Sequence, residues 1–421
     1  MSNAAELQAA PAQAQKDLVA MVPRVDIHVF CETQETGQAI QVASADRRMA
    51  RAHVTIQLGG IAAAVQVYQT QATPNLLVVE SRGNRDQVLA ELGRLAEVCQ
   101  ANTKVVVIGH VNDVVLYREL IRQGISEYVV APVTSFAFIE LVAGLYNDPK
   151  SAPLGRIIAF VGAKGGVGSS TIAHNIGWAL AQRQNLDTII TDLDLAFGTA
   201  ALNFNQDASG GMVEALNQPE RVDSTLIERL MTKLGNRLSL LNGPGSVDRD
   251  ISIEAHSVET ILNVVRLSAP VVVVDVPNMW APWIKYTLIN ADEIIITATP
   301  DLPSLRNAKN LVDLLKTTRP NDKPPRIIIN QVGMAKRPEI PVADFTKAIG
   351  LPAAAVIPHD AQSFGQAQSN GQMLFEVAPK AKAAEVLGEL ARTLAGNQKA
   401  AAPEAKKSSS LLASLPIFKK K

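Results

Sequence analysis

The stretch Arg156-Ile-Ile-Ala-Phe-Val-Gly-Ala-Lys-Gly-Gly-Val-Gly-Ser-Ser-Thr171 decides the fold of this chain. Its apolar run, Ile157 to Val161, has the length and the β-branched content of a buried parallel strand. A glycine-rich loop from Gly162 to Gly168 follows, and Ser170 then opens a segment with helical periodicity. This order predicts a phosphate-binding site, because glycines let backbone N–H groups approach closely and a helix N-terminus adds free donors.

The loop departs from the usual P-loop pattern at two positions. Ala163 stands where the first glycine belongs, and Ser169 stands where the phosphate-binding lysine belongs. A lysine is present earlier, at Lys164. One lost charge-assisted contact weakens phosphate binding by about 1.5–3 kcal/mol, so we expect binding to persist and hydrolysis to be weak. The alternative is a glycine-rich turn that holds no ligand.

Length and composition bound the organisation of the chain. With 421 residues it is too long for one core, and 47% hydrophobic against 19% charged residues is ordinary for globular domains. Forty basic and forty acidic residues cancel, which argues against a strongly basic nucleic-acid-binding protein. Nucleic acid is therefore an unlikely partner.

Cysteine usage and hydropathy exclude several other classes. Cys31 and Cys99 are the only cysteines, so the sequence encodes neither a disulfide framework nor a zinc site. No apolar run reaches the roughly 18 residues that span a bilayer, and the N-terminus lacks the pattern of a signal peptide. We therefore expect a cytoplasmic protein.

Short apolar runs alternate with helix-length segments on both sides of a polar, proline-containing stretch near residue 150. This alternation predicts an α/β protein with two doubly wound sheets. The expected segments are a flexible arm (1–22), a first domain (23–147), a linker (148–155), a second domain (156–395) and a flexible basic tail (396–421).

Two acidic motifs follow predicted strands of the second domain. Asp192-Leu193-Asp194 comes after the strand Thr188–Thr191, and Asp275 comes after a run of four valines. The carboxyl end of a buried strand is where an α/β sheet places its ligand chemistry. Alternatively, the carboxylates after the first strand cap the next helix.

The pattern Lys-Gly-Gly-x-Gly-x-[Ser/Thr]-Thr resembles the deviant Walker A loop of the MinD/ParA ATPases. The resemblance implies ATP and Mg²⁺ as cofactors and a homodimer that sandwiches ATP, in which Lys164 reaches the nucleotide of the facing subunit. By the same resemblance Asp194 orients the attacking water. The implied nucleotide-binding residues are Lys164, Gly165, Gly166, Val167, Gly168, Ser169, Ser170, Thr171, Asn330 and Pro358, and the implied metal-binding residues are Ser170, Asp192 and Asp275.

The first domain resembles a response-regulator receiver that has lost its chemistry. Glu80 stands at the phosphoacceptor position, Cys31 and Glu32 replace the acidic pair, and Ala131 replaces the lysine before proline. These replacements imply that no phosphotransfer occurs and that the domain serves docking. The alternative is an unrelated α/β domain.

The combination of both halves resembles the CpaE/TadZ branch, the MinD-like proteins of tight-adherence (Flp) pilus assembly. Asp192-Leu193-Asp194-Leu195-Ala196-Phe197-Gly198 and Pro300-Asp301-Leu302-Pro303-Ser304-Leu305-Arg306-Asn307-Ala308 belong to that combination. The resemblance implies pilus or secretion machinery at the inner membrane as partner, including a secretion ATPase. Two alternatives stay open: a ParA-type DNA segregation ATPase, and a scaffold that binds no nucleotide.

The end of the chain carries apolar residues beside lysines. Residues 397–421 hold six lysines and one glutamate, and Leu411 to Phe418 is largely apolar. Such a tip is compatible with peripheral contact to an anionic membrane, although Pro416 interrupts any helix. A solvated tail or a partner-binding peptide is the alternative.

Overall fold

Two separate sheets organise the residues that the computed structural model describes, which are 19–146, 154–247 and 252–396. Within these ranges the first unit has a five-stranded sheet and the second an eight-stranded sheet. Every helix within them is too short or too polar to cross a membrane. Most of the predicted arm, linker and tail, including the apolar tip at Leu411, lies outside the described residues.

The first sheet is parallel throughout and has the strand order β2-β1-β3-β4-β5. This is the order of the flavodoxin-like fold. The strands are β1 (Asp26–Cys31), β2 (His53–Leu58), β3 (Leu76–Ser81), β4 (Lys104–Gly109) and β5 (Glu127–Val130). The helices are α1 (Gln34–Ser44), α2 (Gly60–Tyr68), α3 (Arg85–Ala96), α4 (Val114–Arg122) and α5 (Ser135–Tyr146).

Strand β3 shows why this unit is doubly wound. Its residues are all buried, and successive side chains enter opposite layers. Leu76 and Val78 pack with α1 and α5, whereas Leu77 and Val79 pack with α2, α3 and α4. A continuous apolar run is what a strand covered on both faces requires.

The second sheet has the order β13-β12-β11-β6-β10-β7-β9-β8 and is parallel except for the short β8, which is antiparallel to β9. Its strands are β6 (Arg156–Gly162), β7 (Thr188–Asp192), β8 (Thr232–Lys233), β9 (Leu238–Leu241), β10 (Val271–Val276), β11 (Glu293–Ala298), β12 (Arg326–Val332) and β13 (Ala353–Pro358). Helices cover both faces: Val272 and Val274 enter one apolar layer, and Val271 and Val273 enter the other.

The described helices of this unit lie between its strands and after the last strand. They are α6 (Ser169–Arg183), α7 (Ala200–Asn203), α8 (Gly211–Asn217), α9 (Ser224–Leu230), α10 (Ala255–Ser268), α11 (Pro282–Asn290), α12 (Leu302–Thr318), α13 (Val342–Ile349), α14 (Ala361–Asn370), α15 (Leu374–Val377) and α16 (Lys382–Leu394). The predicted α/β class with two doubly wound sheets is confirmed.

The structure adds elements that the apolar pattern did not indicate. Edge strand β2 is half exposed, so its sequence lacks the apolar run of a central strand. Residues 19–22, assigned to the arm, pack onto the first unit: Val22 is fully buried, and its N–H donates to the carbonyl of Arg48.

Buried ion pairs join the two units. Arg47 Nε lies 3.0 Å from Asp322 Oδ2, and Arg48 also donates to Asp322. Burial alone would raise the pKa of Asp322, but the guanidinium group of Arg47 lowers this pKa to about 2. Arg47 also lies 3.6 Å from Asp292, which accepts from the N–H of Ile157 at the start of β6. The first unit therefore docks at the amino end of β6, away from the glycine loop.

Candidate functional site

The glycine loop connects β6 to α6 as predicted, with the helix beginning at Ser169, one residue before the expected Ser170. Gly166 and Gly168 have φ angles of +76° and +84°, in the left-handed region that favours glycine. A Cβ on Gly168 would also lie 2.7 Å from Nδ2 of Asn330. The backbone of this loop thus requires glycine at both positions.

Four carboxamide side chains hold the carbonyl groups of the loop. The C=O and N–H of one planar peptide point in opposite directions. These bonds therefore turn the N–H groups of Lys164, Val167 and Gly168 away from the carboxamides. The result is a preorganised set of donors suited to an anion. The bonds run from Asn278 to Gly162 O (2.9 Å), from Asn307 to Ala163 O (2.9 Å), from Gln331 to Gly166 O (3.0 Å) and from Asn330 to Val167 O (2.8 Å).

Sequence reasoning identified Asn330 but missed the other three carboxamides. Asn278 follows β10, where turn-forming asparagine is common, while Asn307 lies on α12 and Gln331 at the end of β12, so no shared sequence position marks them. The structure distinguishes Gln331 by its φ of +57°, which is uncommon for a residue other than glycine.

The two polar residues that mark the altered loop lie in different environments. Lys164 is partly exposed, and its Nζ lies 3.4 Å from Asp301 Oδ2 at the start of α12. Burial alone would raise the pKa of Asp301. This pKa is instead lowered, by hydrogen bonds from Thr299 and Ser304 and by the charge of Lys164. The Ser169 hydroxyl is buried and has no hydrogen-bond partner among the described residues. In this subunit Lys164 is thus held within its own chain.

Asp192 and Asp275 are direct neighbours in the register of β7 and β10. Both are buried, and burial together with the charge of Asp275 raises the pKa of Asp192 to about 7. Asp192 accepts hydrogen bonds from the N–H groups of Asp194 and Ala200. In contrast, Asp275 Oδ1 has no hydrogen-bond partner within the described part of the chain.

His174, on α6, joins these carboxylates and was missed by the sequence analysis. It is fully buried, and its Nε2 lies 3.4 Å from Asp275 Oδ2. One ligand atom from each of His174, Asp192 and Asp275 lies within 4.8 Å of the others. Carboxylate oxygens and an imidazole nitrogen at this spacing form a donor set that fits a divalent cation. A lone histidine inside an apolar helical pattern gave no signal in the sequence.

Asp194 contacts the turn that follows β7 and does not cap helix α7, as the capping alternative required. Its Oδ1 accepts from the N–H of Phe197 at 2.9 Å, and its carbonyl accepts from the N–H of Gly198. The side chain thus stabilises the turn after β7. It remains half-buried at the edge of the site.

A cavity of about 210 Å³ opens beside the carboxyl end of the loop. Asn330 and Pro358, which sequence reasoning assigned to one site, both line it together with Gly168 and Thr171. Apolar surface comes from residues such as Ile172 and Phe364. The cavity offers room for a flat organic group next to the N–H groups of the loop.

Several known proteins are similar to this chain in sequence or structure. The septum site-determining protein MinD of Thermotoga maritima is 25% identical over 209 residues, which cover 49% of this chain and 76% of MinD. A ParA family ATPase from Chlorobium tepidum superimposes with a TM-score of 0.52 at 27% identity, covering 56% of this chain and 98% of that one. A pilus assembly protein CpaE from Caulobacter crescentus is 46% identical, covering 31% of this chain and 100% of that one, with a TM-score of 0.30.

The family model of the CobQ/CobB/MinD/ParA nucleotide binding domain matches residues 158–374, slightly more than half of the chain. The matched region begins within β6 and contains the glycine loop, both acidic motifs and the cavity. The chain therefore belongs to the CobQ/CobB/MinD/ParA nucleotide-binding family.

Proposed function

We propose that the chain is a MinD/ParA-like ATP-binding protein that localises or organises the assembly of a tight-adherence (Flp) type IV pilus or secretion apparatus, with weak or absent ATP hydrolysis. The observation that carries the nucleotide part is the glycine loop, whose carbonyls are tied back by four carboxamides. Such a loop is built before any ligand arrives, so little ordering cost opposes binding.

The phosphate groups would lie on the loop and on the first turn of α6. Backbone N–H groups from Gly165 to Thr171 supply donors, and the helix N-terminus favours negative charge. Ser169 cannot supply the positive charge of a lysine. Because phosphoryl transfer depends on positioning and on charge neutralisation, this replacement lowers turnover more than it lowers binding.

Mg²⁺ would be held near Ser170, Asp192 and Asp275. The unpartnered Oδ1 of Asp275 and the raised pKa of Asp192 fit a site that a cation completes. The bound ion supplies positive charge against the phosphate oxygens. Asp194 is the residue that we assign to orienting a water molecule once the turn before Phe197 rearranges.

The nucleoside would occupy the cavity beside the loop. Pro358 flanks the base, and Asn330 reads the adenine edge. Since the Asn330 amide nitrogen donates to Val167 O, we assign its amide oxygen to the exocyclic amine of adenine. One side chain then links the base to the position of the loop.

The loops around the site present a face for a second copy of the chain. Phe197 is 74% exposed, Trp280 57% and Leu302 70%, and each follows a strand that ends at the same edge of the sheet as the loop. Exposed apolar residues around a polar site mark an interaction surface. We propose a homodimer in which Lys164 leaves Asp301 and reaches the nucleotide of the facing subunit.

A titration of the full chain with fluorescent ATP and Mg²⁺ tests nucleotide binding. Gly168→Ala should abolish it, because the new methyl group is strained at φ +84° and meets Asn330. Gly93→Ala is the matched control, since nothing lies within 4 Å of a Cβ there.

No binding by the wild-type chain would favour the nucleotide-free scaffold. Turnover near the enzyme median of about 10 s⁻¹ would contradict weak hydrolysis.

Light scattering with saturating ATP tests the dimer. The wild-type chain should dimerise, and Lys164→Ala should remain a monomer although it still binds nucleotide. A Lys164→Ala variant that dimerises like the wild type would contradict the proposed role of this lysine. DNA binding that collapses with added salt would instead favour the segregation ATPase.

The cellular role rests on the joint resemblance of both halves to the pilus-assembly branch. We assign contact with the assembly machinery to the first unit, which docks away from the glycine loop, and nucleotide binding to the second. A fluorescent fusion should gather at the inner-membrane site of pilus assembly, and a strain without the protein should lack surface pili. Normal pili in that strain would refute the role.

A further inference from the structure

Among the described residues the two sheets have four edges, and three of these are protected against further pairing. Strand β5 is four residues long and β8 two, while β13 has an interrupted register and ends in Pro358. Short strands, bulges and proline are devices that keep a sheet edge from pairing with another chain. Strand β2 has none of them, and it pairs with β1 over six consecutive residues without a register shift.

The outer side of β2 presents free backbone groups. His53 N donates to the carbonyl of Val25 just before β1, and alternate residues of a strand direct their backbone groups to opposite sides. The N–H and C=O groups of Val54, Ile56 and Leu58 therefore point away from β1. The strand order places no other strand of the described residues on that side.

These three residues are complementary to a second copy of themselves. In an antiparallel pair, residues that exchange two hydrogen bonds stand directly opposite each other. A two-fold axis at Ile56 brings this residue opposite Ile56 of the second copy and Val54 opposite Leu58, so about six backbone hydrogen bonds can form. Leu58, which is 61% exposed, is then covered by the half-buried Val54 of the other copy.

The elements at this edge are almost free of charge. Helix α1, strand β2 and helix α2 contain one acidic or basic residue in all, Glu35, although 19% of the whole chain is charged. Charged residues are depleted at the centre of protein interfaces. A charged partner finds no ion pairs on such a face, whereas a second copy brings an equally uncharged one.

The edge is also large enough for a stable contact. Six residues of strand are about 20 Å long, and a sheet with a helix on each face is about 25 Å thick. The edge thus offers roughly 500 Å² per copy, which reaches the roughly 1,000 Å² in total that a specific interface needs. The ion pairs to the second unit start from Arg47, Arg48 and Arg51, before β2, and Gln57 and Leu58 stay exposed.

We propose that two copies of the chain pair antiparallel through β2, so that their two five-stranded sheets become one continuous sheet. This contact goes beyond the proposed function, because it uses the first unit and needs no nucleotide. Since each copy then has one two-fold contact in each unit, the two contacts together link more than two chains into a larger assembly.

The test follows self-association of the full chain without nucleotide or Mg²⁺. Sedimentation over a range of concentrations should show a monomer–dimer equilibrium for the wild type. Leu58→Lys places a charge at the edge and should raise the dissociation constant at least about tenfold. Val115→Lys, at a 58% exposed position on α4, is the matched control and should associate like the wild type.

Cross-linking tests the register of the pair. Ile56→Cys should form an intermolecular disulfide with oxidised glutathione, because the Cα atoms of a hydrogen-bonded antiparallel pair lie about 5.5 Å apart. Gln57→Cys is the matched control and should not, since it stands opposite Thr55 of the second copy. The wild type, which contains Cys31 and Cys99, gives the background.

A wild-type chain that stays monomeric at every concentration overturns the inference and leaves this edge to a strand of another protein. Equal dissociation constants for Leu58→Lys and the wild type also overturn it, as does equal cross-linking of Ile56→Cys and Gln57→Cys. The nucleotide-dependent dimer is separable: Lys164→Ala should still associate through β2 without ATP, and Leu58→Lys should still dimerise with ATP. Failure of one contact therefore leaves the other intact.

Discussion

Glu80 in the first unit and Asp275 in the second occupy the same place in two related sheets. Each is the penultimate residue of a buried strand, β3 or β10, and each side chain is almost completely buried. Their surroundings differ: Glu80 is surrounded by donors, whereas Asp275 stands beside a second carboxylate and an unaligned histidine.

The Glu80 carboxylate accepts five short hydrogen bonds. Burial alone would raise the pKa of Glu80, but these bonds lower it. The Asp275 carboxylate has one oxygen without a hydrogen-bond partner in the described ranges. The donors to Glu80 are Glu32 N (2.8 Å), Thr33 N (2.8 Å), Thr33 Oγ1 (2.8 Å), Thr36 Oγ1 (2.8 Å) and His110 Nε2 (2.9 Å). The difference teaches that the first site is a completed structural anchor, while the second awaits a ligand.

The largest effect should come from removing the anchor. Glu80→Ala leaves the N–H groups of Glu32 and Thr33 and the hydroxyl of Thr36 without their acceptor at the start of α1. A buried donor left without its acceptor costs about 1–3 kcal/mol, and this substitution leaves several of them. Urea unfolding followed by circular dichroism should show this loss as a lower midpoint.

Asp275→Asn is the matched control, because it neutralises an equivalent carboxylate that lacks such donors. It should leave the ligand-free chain at least as stable as the wild type. The difference between Glu80→Ala and the wild type should also shrink in acid, since a lowered pKa stabilises the fold above the ordinary carboxyl pKa and this contribution is lost as the pH falls. Equal destabilisation by Glu80→Ala and Asp275→Asn would show that the two carboxylates do not differ in their contribution to stability.

Asp192 provides the next largest effect, and its sign is opposite. Its folded pKa of about 7 lies above the ordinary 3.8, so between these values the folded chain holds a proton that the unfolded chain has released. Stability therefore falls as the pH rises from about 4 to 7, by about 2 kcal/mol between pH 5 and pH 7. Asp192→Asn should abolish this slope.

Thermal melting of both proteins at several pH values measures the slope. Asp313→Asn, on the exposed surface of α12, is a suitable control and should retain the wild-type slope. An identical slope in Asp192→Asn and the wild type would show that Asp192 is ionised throughout, and the second site would then resemble the first more closely than we infer.

Much of this contrast could be predicted from the sequence. The central strands are apolar runs rich in β-branched residues, so the two doubly wound sheets, the glycine loop and the positions of Glu80, Asp192 and Asp275 were predictable. Edge strand β2 was not, because a half-exposed strand carries no continuous apolar run.

The supporting contacts were beyond sequence reasoning. His174 reaches Asp275 across 101 positions of the chain and Gln331 reaches Gly166 across 165, and neither distance leaves a periodic signal. Such pairs depend on the register of neighbouring strands, which tertiary packing sets. The ion pair of Arg47 with Asp322 was hidden for the same reason.

Gln331 allows a smaller test of the second site. Its side chain donates to Gly166 O, and Arg337 donates in turn to its Oε1 at 3.3 Å. Gln331→Leu removes one net hydrogen bond worth about 1 kcal/mol, so ATP affinity should fall about fivefold. Gln123→Leu, on the exposed end of α4, should change nothing. Unchanged affinity in Gln331→Leu would show that the loop holds its shape without this carboxamide.

The last prediction is that the first unit is not phosphorylated at Glu80. Because the Glu80 carboxylate is already bound by donors from Thr33, Thr36 and His110, it is not available as a phosphoacceptor, and Ala131 offers no lysine to hold a phosphoryl group. Incubation of the full chain with acetyl phosphate and Mg²⁺ should leave its mass unchanged. A stable gain of about 80 Da that maps to residues 23–147 would contradict the reading of Glu80 as a completed anchor. Glu80→Asp serves as the control, since an adduct on that variant alone would show that the longer side chain by itself blocks the chemistry.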